Sequence, residues 1–170
     1  IAHHLDGFVR HLTVYPDLVC VFGAEDLLDH VNFFIDAAIP LVCGYDTTYQ
    51  LGDFFVSPLL LRHPAFIGEP IVPLAFLIHE RKFQKHHACF FTCLLEKIPR
   101  LNASSTVFII AREAAIRSAI LEVLPLAPQL FCWNHLRRDL EHWLRQGGSS
   151  PADVRDYVSD LMSILHHGDR

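Results

Sequence analysis

Apolar positions change their spacing along this chain. In 25-EDLLDHVNFFID-36, Leu27, Leu28, Val31, Phe34 and Ile35 recur at helical spacing and share one face, and Pro40 ends the segment. From residue 41 the spacing becomes that of strands. The runs 41-LVCGYDTTYQL-51, 54-FFVSPLLLR-62 and 71-IVPLAFLIH-79 predict three strands, the first two joined in a hairpin at Gly52-Asp53. Pro58 and Pro73 predict edge-like or bulged backbone at those points, because proline donates no ladder hydrogen bond. Residues 1–23 read as irregular apart from a short strand at 18-LVCVF-22.

After residue 79 the helical spacing returns. In 80-ERKFQKHHACFFTCLLEKI-98, Phe83, His87, Phe90, Phe91, Leu94 and Ile98 form one stripe, stopped by Pro99. The short run 106-TVFIIA-111 predicts a central strand. A further helix is predicted over 112-REAAIRSAILEVL-124, with Ile116, Ala119, Ile120, Val123 and Leu124 on its stripe, and a last strand over 129-QLFCW-133. Helices over 135–146 and 151–167 follow, separated by Gly147-Gly148-Ser149-Ser150, with Pro151 in a first helical turn. Val154, Tyr157, Val158, Leu161 and Leu165 form the stripe of the last helix.

The predicted order is three antiparallel strands, then two strands reached through helical crossovers. This is an α/β fold with a mixed five-stranded sheet flanked by helices, in the ribonuclease H-like order. Residues 1–40 form a strand-and-helix extension, 41–146 the core, and 151–170 a helix that would complete the core or dock on a partner.

Composition narrows the classes. The 170 residues are 51% hydrophobic and 19% charged, which excludes a disordered chain and gives room for a core. The net charge of −5 gives no broad basic field, so nucleic acid would need a local patch. Five cysteines, without a small secreted framework, predict reduced thiols and an intracellular chain. No apolar run reaches the length of a membrane span, and no signal peptide is visible. The sequence opens on Ile1 and its one Met is Met162, so an excerpt of a longer protein is expected.

Alternation along the first strand puts Leu41, Cys43 and Tyr45 on one face and Val42, Gly44 and Asp46 on the other, more polar one. A carboxylate on rigid sheet beside a glycine suits a divalent cation such as Mg²⁺ or Mn²⁺. The plainer alternative is a half-exposed Asp hydrogen-bonded to Thr47 or Thr48.

The segments 45-YDTTYQLGDFFVSPLLLRH-63, 72-VPLAFLIHERK-82, 107-VFIIAREAAIRSAI-120 and 132-CWNHLRRDLEHWLR-145 resemble a Mutator-like transposase domain. They are most similar to domesticated versions in animal proteins, including SWIM zinc-finger proteins. The resemblance spans about residues 41–145 and implies a ribonuclease H-like fold, a DDE acid triad, Mg²⁺ or Mn²⁺, DNA or nuclear protein partners and a nuclear location. Asp46 matches the first acid. In the string 110-IAREAAI-116 the second acid position is Ala111, and Glu113 is a substitute expected to point elsewhere from the start of its helix. No residue matches the third acid, and the resemblance implies that 151–170 begin an inserted helical domain. Ala111 has no oxygen to share a metal with Asp46, so the expectation is an inactive, domesticated core. The alternatives are a strand-transfer enzyme with a trimmed or substituted site and a zinc-stabilised interaction module.

For zinc, Cys132 and His135 match a C-x-x-H motif of the same family. His86, Cys89 and Cys93 share a helical stripe that could supply further soft ligands, or simply pack. Basic residues gather at 81-RKFQKHH-87 and at Arg137, Arg138 and Arg145, where a nucleic-acid backbone or only solvent would be faced, since Asp139 and Glu141 share that helix.

Overall fold

In the computed structural model, which describes residues 8–47 and 49–166, the changes of spacing become eight strands and five helices. In order they are β1 (Val9–Thr13), β2 (Val19–Gly23), α1 (Glu25–Asp36), β3 (Leu41–Tyr45), β4 (Tyr49–Leu51), β5 (Phe54–Arg62), β6 (Ile71–His79), α2 (Gln84–Lys97), β7 (Thr106–Ile110), α3 (Ala114–Val123), β8 (Gln129–Phe131), α4 (Trp133–Gln146) and α5 (Pro151–His166). They fall into two compact units, one running to Leu130 and one starting at Phe131.

The first unit is an α/β layer structure on a mixed sheet of order β1-β2-β6-β5-β3-β7-β8, with β4 paired to β5. β3 and β7 run parallel, and the β1/β2, β2/β6, β6/β5, β5/β4 and β5/β3 pairs are antiparallel. The β6-β5-β3-β7-β8 stretch contains the five expected strands. The expected five-stranded sheet is too small, because β1 and β2 continue it past β6. Val19 and Val21 of β2 are buried in the common core, and the pairing covers an edge that β6 would otherwise present.

Two further expectations change for local reasons, and the one for the prolines holds. The run 41–51 is not one strand: the pairing of β3 with both neighbours ends at Tyr45, and β4 then pairs with β5 through the Gly52 turn, where φ is +61°. Asp46 therefore lies just beyond a strand and not within it. Pro58 and Pro73 sit on interior strands, yet each lies where one flank lacks a described partner. Pro58 falls between the β4-paired Phe54–Val56 and the β3-paired Leu59–Leu61, and Pro73 lies past the last β2 pair, Gly23↔Ala75, at a register shift. Finally, Trp133, expected in the last strand, opens α4.

One face of β3 is buried and the other is open, as alternation requires: Leu41, Cys43 and Tyr45 are buried while Val42 is exposed. The Tyr45 ring stacks on Phe90 at 5.1 Å and meets Phe91 edge-on at 4.9 Å, so α2 covers this face. Leu28, Val31, Phe34 and Ile35 of α1 and Ile116, Ala119 and Ile120 of α3 complete the same core. No helix is long and apolar enough to cross a membrane among the described residues.

The second unit is a helical hairpin. Leu144 of α4 packs with Val154 and Val158 of α5, flanked by Leu140 and Met162. Tyr157, expected on the apolar stripe, is exposed, and the side chain of Leu165 lies outside the described residues. Gly148 adopts φ +85° after α4, and Ser150 and Asp153 cap α5 reciprocally through 3.2 Å hydrogen bonds.

Candidate functional site

β3 and β7 end together. Their last pair is Tyr45↔Ile110, so Asp46 and Ala111 are the next residue on each of two parallel neighbours. Asp46 is half-buried and Ala111 is buried. A two-metal centre needs several carboxylate oxygens at such a place. Ala111 supplies none, so these residues do not fit a pair of Mg²⁺ or Mn²⁺ ions.

Glu113 precedes the first residue of α3 and makes no side-chain cap to it. Its carboxylate faces α2. Oε1 lies 3.8 Å from His87 Nε2 and Oε2 lies 4.0 Å from Lys82 Nζ. These are ion-pair distances and not hydrogen bonds, and His87 Nε2 and Glu113 Oε1 have no hydrogen-bond partner. His87 lowers the Glu113 carboxyl from its ordinary value against the upward push of partial burial, and Lys82 adds to the lowering.

Behind these groups runs a polar network that the sequence reading missed. Thr47 Oγ1 and Ser57 Oγ are 2.9 Å apart, and Ser57 Oγ is 3.0 Å from His79 Nε2. His79 Nδ1 reaches the Arg81 carbonyl at 2.8 Å, and His86 Nδ1 shares that carbonyl at 2.7 Å. The Tyr45 hydroxyl meets His87 Nδ1 at 2.9 Å. Burial pushes His79 down to about 4 and the Tyr45 hydroxyl well up, so both are neutral near pH 7. The signal for this network was polar residues, Ser57 and His79, inside otherwise apolar strand runs. Chemically, it satisfies buried groups and holds the start of α2 against the strand ends.

The soft ligands converge elsewhere. Among the described residues, one group of three metal-ligating side chains has all its ligand atoms within 4.8 Å of one another: His11 of β1 with Cys89 and Cys93 of α2. His86, expected with the two cysteines, instead faces the Arg81 carbonyl and Asp17, whose Oδ2 is 3.5 Å away. Cys132 and His135 stand at the start of the helical unit and belong to no such group. His11 was not legible because residues 1–17 show no clear alternation. Cys93 hydrogen-bonds the Cys89 sulfur and lowers its thiol, while the Cys93 thiol is pushed up by the same contact and by burial.

Of the basic residues, Arg137, Arg145 and Lys85 meet acids. Arg137 Nε donates to Glu141 Oε1 at 2.9 Å, and Arg145 lies 3.7 Å from Glu141 Oε2. Arg138 is exposed on the same helix. Lys85 pairs with Asp17 at 2.9 Å. Comparison with protein-family models, with curated proteins and with solved structures gives no match.

Proposed function

We infer that the first unit is a ribonuclease H-like core of Mutator-like transposase descent that works by binding nucleic acid or protein in the nucleus, without two-metal catalysis. The strand order from β6 through β8 and the strand directions from β6 to β7 support the fold reading, since three antiparallel strands are followed by a parallel neighbour reached through a helix. One observation carries the functional reading. Asp46 and Ala111 follow the last paired residues of two adjacent parallel strands, and the second position has no oxygen. Glu113 does not restore the pair, because Lys82 and His87 engage it on the side of α2.

The competing enzyme reading keeps Asp46 as one ligand of a substituted DDE centre. A Mn²⁺-dependent cleavage and strand-transfer assay on linear DNA separates the two. The expected result is no cleavage above a metal-free control. Cleavage that Asp46→Ala abolishes would overturn the inference.

A further inference from the structure

We propose that His11, Cys89 and Cys93 form a Zn²⁺ site that ties the outermost strand of the sheet to α2. The proposal rests on this cluster alone and stands or falls apart from the ancestry of the core.

Cys89 and Cys93 are four residues apart on one helix, so their sulfurs emerge on the same face one turn apart. His11 comes from β1, which pairs only with β2 among the described strands. The three side chains are half-buried: shielded enough to raise the cost of leaving a thiolate unpaired, open enough for an ion to enter. The five cysteines of the chain form no disulfide, so both thiols are available.

Geometry fits the ion. Zn–S bonds of about 2.3 Å and Zn–N bonds of about 2.0 Å put tetrahedral donors roughly 3.5–3.8 Å apart. Donor atoms already within 4.8 Å need about 1 Å of closure, which rotation of short side chains on an edge strand and a helix face provides. A hydrogen bond of 2.9 Å joins His11 Nε2 to Thr13 Oγ1. In the tautomer that donates to Thr13, the ring lone pair is on Nδ1, the arrangement by which an outer partner orients a ligating imidazole.

Each thiol gives its proton to solvent as its Zn–S bond forms, so two thiolates offset the charge of the ion. Three protein donors leave a fourth position for water. A cavity of about 160 Å³ lies beside the cluster, lined by His11, Cys89, Thr13, Asp17, Lys85 and His86 among others. That is room for several waters, each occupying about 30 Å³. Hard ions are disfavoured by the sulfur donors.

The test is Co²⁺ and Zn²⁺ titration of the full, reduced chain. Co²⁺ should give thiolate-to-metal charge-transfer absorption at one equivalent, displaced by Zn²⁺. The band should vanish in the Cys89→Ala/Cys93→Ala double variant. His11→Ala should weaken Zn²⁺ binding by more than about 100-fold, beyond the loss that an outer partner causes. Far-UV circular dichroism and melting of the metal-free variants establish that they fold. A variant that does not fold is replaced by its Ser or Gln counterpart. Absence of the band in the reduced natural chain would overturn the proposal, and so would a band unchanged in the folded double variant.

Discussion

The strand ends at Asp46 and the edge at His11 both gather side chains of metal-ligating type, but in different company. At the strand ends, oxygen and imidazole groups mostly answer one another: Thr47 with Ser57, Ser57 with His79, His79 with a carbonyl, Tyr45 with His87. The acid position beside Asp46 is an alanine. At the edge, two sulfurs and an imidazole meet beside a small cavity. The difference teaches that polar groups near an expected site are not themselves a site. What matters is whether the donors suit one ion and whether they are already consumed by the packing.

The sharpest way to break the comparison is to unpack the strand-end network. Tyr45 stacks in the core and anchors His87, so Tyr45→Ala should cost about 3–5 kcal/mol in chemical denaturation. A cost near zero would mean that Tyr45 is not part of the core. Ser57→Ala removes the partner of a buried His79 nitrogen and should cost about 1–3 kcal/mol. No loss at this position would argue that the network is not structural.

His79 gives the comparison a pH axis. Burial lowers it to about 4 from an ordinary value of 6.5. The unfolded chain therefore takes up the proton first as pH falls. Stability should be full above about pH 6.5 and decline towards pH 4, by roughly 2 kcal/mol after allowance for solvent screening. Denaturation curves across that range check it, and the decline should flatten in His79→Gln. The smallest effect is expected at Glu113→Gln. Its carboxylate is partly exposed and makes only long ion pairs, so the loss should be about 0.2–1 kcal/mol. A much larger loss would give Glu113 a role beyond electrostatic contact.

Much of the architecture was legible because its elements bury one face. α1 was read at its observed bounds from Leu28, Val31, Phe34 and Ile35, and the hairpin turn at Gly52 followed from its residues. β1 was not legible: Val9 to Thr13 are mostly half-buried on an outer strand, so no alternation marks them. The break after Tyr45 was hidden because Asp46 and Thr47 continue the strand pattern, while the pairing that stops there depends on β5 and β7. Of the candidate sites, Asp46 and Ala111 could be paired only through the resemblance to the transposase family, and the parallel register of β3 and β7 makes them neighbours. The His11 cluster could not, since His11 lies 78 and 82 residues from the two cysteines and meets them only through the fold. Cys132 and His135 had the right residue types, but spacing alone does not make donors converge.

The measurement that bears most directly on the central claim is Mn²⁺ calorimetry on the natural chain, with Cys89 and Cys93 replaced by Ala to silence the edge cluster, and on the same chain carrying Ala111→Asp. The account predicts no Mn²⁺ binding dependent on Asp46 in the first, and binding in the second that Asp46→Ala abolishes. Binding already present with Ala111 in place, and lost on Asp46→Ala, would contradict it.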